Sequence, residues 1–425
     1  MNIHIQGGRI IDPAQGINKI CDLYIADGKV LALGEAPAGF QVQQQIDATG
    51  KIVSPGIIDM QAHLREPGNT QKGTITSETA AAVAGGVTSL CTPPDTKPVI
   101  DTTAVVELIR LKAEQAGNAH VYTIGALTKG LKGEEICAMQ SLKAAGCVGL
   151  SNAHHAIKNT QVMRRAMEYA KTMDMTLYLH AEDPWLSNGG CAHEGAVSTR
   201  MGLAGSPACA EEVEVAKLLQ LVEMTGVRIH FSQLSTAKAV RMISRAQYEG
   251  LPISADVAAH QLHLSHIDIA EYNSLCHVQP PLRTERDRDA LREGVMRGTI
   301  GVICSDHQPH DKDAKLAPFP ETEPGISALE TLLPLALRMQ EHGMSLADII
   351  GSLTAVPAKI LGIKGGSLEP GCSADVMVFD PEEYWMLTEE CMVSRGKNNP
   401  FINRELKGRV HHTLVAGRIA YSLAD

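Results

Sequence analysis

The chain has 425 residues, a formal net charge of -10 and a pI near 5.9, a balance that argues against nucleic acid or an anionic membrane surface as a partner. Apolar residues make up 44% and charged residues 20%, so a substantial core is available. Aromatics are only 4%, which makes that core aliphatic and alanine-rich. No basic block, low-complexity run or bilayer-length apolar stretch is present.

Residues 2–50 read as short strands: Ile3-His4-Ile5, Gly8-Arg9-Ile10-Ile11 and Asp22-Leu23-Tyr24-Ile25, with Asp27-Gly28 as a hairpin turn. A strand pattern starting at residue 2 predicts no signal peptide and a cytoplasmic chain. Short apolar runs then alternate with helical stretches, the pattern of a parallel sheet with crossover helices. Eight candidate strands fall at 53–60, 86–92, 120–127, 147–151, 176–181, 228–234, 251–258 and 300–305. Helix-like stretches follow, such as 100–116 and 209–226, and helices 327–341 and 346–361 are expected to close the set. Eight such units predict an α/β fold, a TIM-type (β/α)8 barrel with its working face where the strands end. Beyond it, Ala374 to Phe379 and Val410 to Val415 read as strands and Ala416-Gly417 as a turn. The β-rich ends predict one small β-sandwich domain from residues 1–52 and 363–425, around a barrel of 53–362.

The ten cysteines (21, 91, 137, 147, 191, 209, 276, 304, 372 and 391) show no C-x-x-C spacing and read as reduced core thiols. Met163 and Met167, four apart on one helix face, and Met173 and Met175, alternating into the next strand, read as packing and imply no cofactor.

The polar residues of interest fall at predicted strand ends: Gln61 and His63, Asp95, Asn152, His180, Gln233 and Asp306. The stretch 55–68 has the form of a barrel strand ending in a His-x-His metal pair, with glutamine as its first member. An imidazole nitrogen binds zinc firmly, whereas a neutral amide oxygen is a poor ligand for it. A structural reading stands beside the chemical one. His180 would be a hydrogen-bonded residue of the barrel mouth, Asp306 and His307 would hold neighbouring loops, and Gln61 and Gln233 would bond across the site. His154 and His155, past the fourth strand, are the candidates to replace a lost ligand.

These residues lie in a set of motifs that resembles the class I dihydroorotases of the amidohydrolase superfamily. The motifs are Gly-Arg-Ile-Ile-Asp-Pro (8–13), His63-Leu64-Arg65-Glu66-Pro67-Gly68, Glu78 through Thr88, Thr96-Lys97-Pro98, His180-Ala181-Glu182-Asp183, Pro280-Pro281-Leu282-Arg283, Asp306-His307-Gln308-Pro309-His310 and Pro324-Gly325-Ile326. They run from the first strand to the last and are specific only together.

The resemblance implies a zinc-activated hydroxide that attacks a cyclic amide, with Asp306 as proton shuttle. It implies metal ligands at 61, His63, 152, His180, 233 and Asp306; here Gln61, Asn152 and Gln233 stand at three of those positions. Substrate contacts would fall to Arg65, His310 and positions 95 and 279, where Asp95 and Gln279 replace expected asparagines. Asp95 would repel the substrate carboxylate that Arg65 and His310 would hold.

Three ligand losses in one direction point to a pseudoenzyme without zinc. Relatives of that kind serve as non-catalytic partners of aspartate carbamoyltransferase in pyrimidine synthesis. Similarity to that subgroup lies in 84–91, in 125–131 and in His307-Gln308-Pro309-His310 followed by 313–319. The alternative is an active zinc-dependent dihydroorotase with an unusual metal shell.

Overall fold

The computed structural model describes residues 1–423. Eight strands form one parallel sheet in chain order: β1 (Ile57–Asp59), β2 (Val87–Thr92), β3 (His120–Ala126), β4 (Gly149–Ser151), β5 (Leu177–His180), β6 (Ile229–Ser232), β7 (Ile253–Ala258) and β8 (Val302–Cys304). Strands β2, β6 and β8 are buried along their whole length, so their apolar residues are not confined to alternate positions. The ring closes just past the strand ends. Ala62 and His307 form a parallel bridge, the His63 N–H donates to the His307 carbonyl (2.8 Å) and the His307 N–H donates to the Gln61 carbonyl (3.2 Å). The predicted TIM-type barrel is therefore present, with a barrel strand inside each of the eight expected stretches; of 53–60 only Ile57–Asp59 is a barrel strand, since Ile52–Pro55 belongs to a separate sheet.

The helices match less evenly. The stretches expected at 100–116 and 209–226 are helices Thr103–Ala116 and Cys209–Thr225. The expected helix 327–341 is instead a 3-10 turn, a short α-helix Leu332–Leu337 and a second 3-10 segment Arg338–His342. Pro334 in that run removes a backbone donor and limits regular helix. The expected helix 346–361 breaks into Leu346–Leu353 and Ala355–Leu361, because Thr354 leaves helical geometry (φ -131°, ψ -78°) and turns its hydroxyl back to the Ile350 carbonyl at 2.7 Å. The cysteines also divide. Cys91, Cys137, Cys147, Cys276 and Cys304 are buried thiols, but Cys209 and Cys391 are exposed.

Strands from both chain ends make the added sheets. A four-stranded sheet holds Ile3–Gln6, Leu23–Ala26, Lys29–Leu33 and Gln44–Asp47. A six-stranded sheet joins Arg9–Asp12, Ile17–Ile20 and Ile52–Pro55 to Val376–Met386, Glu405–Val415 and Arg418–Ser422. The chain ends thus meet in only one of the two sheets. Along Val376–Met386 the side chains alternate as a strand requires: Val376 and Val378 enter the sandwich core with Ile3, Ile10 and Ile25, while Met377 and Phe379 enter the barrel core. Two hairpin turns, Asp27-Gly28 and Ala416-Gly417, have positive φ at both central residues and lie against each other. A Cβ on Gly417 would sit 2.7 Å from the Gly28 Cα, so the glycine is needed for close approach as well as for the turn.

His260, in the turn Ala259–Leu262 after β7, is 1% exposed and neither ring nitrogen has a protein partner. Burial holds its pKa down at about 3. His263 is held at about 3 as well, by burial and then by Arg338, while its ring nitrogen lies 2.7 Å from the Leu335 carbonyl. Both values are depressed from the ordinary 6.5, so the unfolded chain takes up protons first. Their contribution is full above pH about 6.5 and is lost as pH falls toward 3. The urea midpoint should fall across that window. His260→Leu, with similar volume and no ring to protonate, should make the fall shallower; an unchanged slope would show that His260 does not contribute.

Candidate functional site

The strand ends bring Gln61, His63, Asp95, His180, Gln233 and Asp306 to one barrel mouth. The shortest contact among them joins two of the predicted ligand positions: Gln233 Nε2 donates to Asp306 Oδ1 at 2.5 Å. Gln308 Nε2 donates to the same oxygen at 3.1 Å. Burial pushes the Asp306 carboxyl well above its usual range. The Gln308 N–H opposes that rise, Asp256 and Asp59 add to it, and the Gln233 N–H opposes it again. Asp306 is thus wrapped by two amides, as the structural reading of Gln233 expects. Gln61 differs from that reading, because its recorded bonds run through the backbone: its carbonyl accepts from His307 N and from Ser305 Oγ.

Asn152 is turned away from this group. Its Oδ1 accepts from Thr128 Oγ1 at 2.7 Å, and its Nδ2 donates to the His155 carbonyl at 2.7 Å and the Leu131 carbonyl at 3.3 Å. An amide accepts on one side and donates on the other, which a carboxylate at this position could not do. Asn152 therefore pins the loops after β3 and β4 to each other.

The predicted substrate contacts are also engaged within the protein. Arg65 has φ of 62° and donates from Nε to the Pro309 carbonyl at 3.0 Å, with its Nη2 3.2 Å from His310 Nε2. His310 Nε2 also lies 2.9 Å from the Pro324 carbonyl. Asp95 bonds His63, with Oδ2 3.0 Å from Nε2. Burial would raise the Asp95 carboxyl, but His63, His154 and Arg65 together hold it well below the usual carboxylate range. Gln279 donates from Nε2 to Glu182 Oε2 at 2.9 Å.

His180 is 5% exposed at its side chain, and neither ring nitrogen has a hydrogen-bond partner; its Nε2 lies 3.7 Å from Glu182 Oε2. Of the two replacement candidates only His154 reaches the site, where its ring packs on that of His180 with centroids 4.4 Å apart. His155 is exposed and contributes its carbonyl to Asn152. A cavity of about 640 Å³ opens over His154, Glu182 and Gln279, walled by Pro281 and Pro324.

The donor set does not fit the zinc that the resemblance implies. Among the described residues, no three His, Cys, Asp or Glu side chains are placed to share a metal ion. Asp306 Oδ1 is taken by two amide N–H groups, and Asn152 presents its N–H groups to carbonyls. A structural or catalytic zinc takes three or four protein ligands.

Sequence reasoning missed the best-satisfied part of the site. His307 Nδ1 accepts from Ala328 N at 3.0 Å, which fixes the proton on Nε2, and Nε2 donates to Glu78 Oε2 at 2.9 Å. Glu78 also accepts from Ser394 Oγ (2.6 Å) and Arg395 N (3.2 Å), and both members of the pair are fully buried. Burial pushes Glu78 up, but the His307, Ser394 and Ser77 donors bring it below its ordinary value. Glu78 and His307 both stood in motifs, yet nothing in their spacing, 229 residues apart, linked them.

The fold is shared with hydantoinases of known structure. The chain superposes on L-hydantoinase (dihydropyrimidinase) from Arthrobacter aurescens with a TM-score of 0.89 at 22% identity, covering 100% of this chain and 97% of that one. A D-hydantoinase from a Thermus species gives 0.84 at 22% identity, with 100% and 97% covered. Nearer kinship is visible in sequence. A profile of the Dihydro-orotase-like family matches residues 50–239. A dihydroorotase-like protein of Pseudomonas putida is 48% identical over 422 residues, 99% of each chain, and that of Pseudomonas aeruginosa is 47% identical over 99% of this chain and 100% of its own. A dihydroorotase of Geobacter metallireducens is 42% identical over 99% of this chain and 100% of its own. The chain belongs to the dihydroorotase-like family.

Two substitutions check the site. Asn152→Asp sets a carboxylate against the Leu131 and His155 carbonyls and should cost about 1–3 kcal/mol in urea unfolding, without zinc uptake; wild-type stability with bound zinc would refute the assignment. Glu78→Ala strips donors on three chain segments of their acceptor and should cost on the order of 3 kcal/mol by the same measurement.

Proposed function

We propose that this protein is a catalytically inactive, dihydroorotase-like subunit of pyrimidine biosynthesis that serves as a structural partner of the aspartate carbamoyltransferase catalytic chain. One observation carries the first half: amides stand at three ligand positions, and two of them are built into the protein's own hydrogen bonds, Gln233 to Asp306 and Asn152 between two loops. Amide ligation of zinc would have to break those bonds and replace them with weak ligands. The engagement of Arg65 with Pro309 and His310, and of Asp95 with His63, points the same way, since the groups that would grip a substrate carboxylate are engaged or of the wrong charge.

The second half is supported by a scaffold that keeps its barrel, its sandwich and full-length similarity to dihydroorotase-like relatives while amides stand where the family resemblance implies metal ligands. The role then belongs to a surface rather than to the mouth, and the enzyme of the preceding step is the partner that the family resemblance suggests. No zinc is part of this reading; it enters only in the alternative, an active zinc-dependent dihydroorotase.

Purified protein should carry well under one zinc per chain and neither close nor open the dihydroorotate ring. It should co-elute with aspartate carbamoyltransferase of its own organism on gel filtration, and that enzyme's assembly should weaken without it. Stoichiometric zinc with turnover would establish the alternative. Independent elution of the two proteins would remove the partnership. The triple variant Gln61→His, Asn152→Asp, Gln233→His should lose stability through position 152 and still fail to turn over.

A further inference from the structure

The chain has two tryptophans, and they sit in opposite surroundings. Trp385 is half-buried and its indole N–H donates to the Gly408 carbonyl at 3.0 Å. Trp185 is 75% exposed, beside Leu186 at 39%. The backbone that carries the exposed pair is fixed. Asp183 Oδ1 accepts from the N–H of Trp185 at 3.0 Å and of Leu186 at 2.9 Å, and Pro184 opens the short helix Pro184–Ser187. A capped turn thus holds a large aromatic ring in water. Burying that area against another surface is favourable, and tryptophan is enriched where protein interfaces draw most of their energy.

The neighbours of this turn add charge. Pro184 lines the 640 Å³ cavity, and so do Lys132 and Lys158, both exposed. Lys158 Nζ lies over the Trp185 ring, 4.9 Å from its centroid, which puts the ring on the cavity rim. Neither lysine has a carboxylate partner among the described residues. Glu182, the carboxylate of the lining, already accepts from Gln279 at 2.9 Å. In a chain of net charge -10, this rim sets two unpaired ammonium groups around an exposed indole. A small anion would neutralise the lysines but leave Trp185 and Leu186 in water, whereas a protein surface covers both.

We infer that this rim, formed by Lys132, Lys158, Trp185 and Leu186, is the docking surface for a protein partner that presents carboxylates beside an apolar pocket. The partner's carboxylates pair with the two lysines and its pocket takes the Trp185 ring. The aromatic anchor supplies affinity and the charges supply association rate. The inference rests on the proposed role as a structural subunit and assigns that contact to residues other than those at the ligand positions.

The test uses the full-length protein and the purified aspartate carbamoyltransferase catalytic chain of the same organism, followed by calorimetry and by stopped-flow at low and high salt. Trp185→Ala should weaken binding at least about thirtyfold. Lys132→Glu with Lys158→Glu should slow association at least about tenfold at low salt and remove most of its salt dependence. Lys19→Glu with Lys29→Glu, exposed on the sandwich sheets, should change neither. A carbodiimide, which joins a carboxyl to an amine with loss of water, should link the partner to Lys132 or Lys158. Each variant is checked for folding by circular dichroism. Full affinity in folded Trp185→Ala, or unchanged association in the folded Lys132/Lys158 pair, would overturn the inference and leave the partnership standing. Absence of any complex with the wild type would remove both. Self-association of the wild type through Trp185 would assign the rim to a second copy of this chain and overturn the inference as well.

Discussion

The hydrogen bond between His307 and Glu78 is the constraint on which the rest of the molecule depends. The His307 backbone joins the ends of β1 and β8 and so closes the ring. Its ring accepts from Ala328 N on one side and donates to Glu78 on the other. Glu78 lies on helix Ile75–Ala84, and its second set of donors comes from Ser394 and Arg395 in the C-terminal part of the chain. Four segments far apart in sequence thus converge on one imidazole and one carboxylate with no exposed surface. A buried carboxylate is tolerable because several N–H and O–H groups point at it, and a buried neutral imidazole because both nitrogens are used.

The mouth just above that pair is organised on the opposite principle. There Gln233 and Asn152, at two of the predicted ligand positions, bond inward, to Asp306 and between loops, and the histidines keep unpaired nitrogens. Replacing imidazole or carboxylate by amide changes little in length but adds donors, and donors seek the nearest oxygen. A side-chain change that looks like simple loss therefore becomes a new internal bond. This is why reversal of a single position is not neutral: the Thr128 hydroxyl, the Leu131 carbonyl and the His155 carbonyl have all come to rely on an amide at 152.

Much of this was legible in sequence. The barrel strands were, because short, mostly apolar or β-branched stretches alternate with helical patterns eight times. The mouth residues were, because strand ends fix their positions regardless of what the side chains do. Side-chain direction was not: Gln233 turns toward Asp306 with φ of 58° while Asn152 turns to the loops, and nothing local to either sequence distinguishes them. The irregular helix around Pro334 follows from its missing N–H, and the break at Thr354 from backbone geometry that no local pattern announces. The Glu78–His307 pair is a matter of topology alone, since its members meet only once the ring has closed.

The paired hairpin turns at Gly28 and Gly417 bear on how such a chain is made. The strands within residues 3–55 are synthesised well before Val376–Met386 and Glu405–Val415, the segments that complete their sheet. Until then Ile52–Pro55 has an open edge, and the core cluster of Ile10 and Val53 lacks Val376, Val378 and Leu414. Those earlier strands are therefore open to mispairing until the later segments have been made and have paired with them.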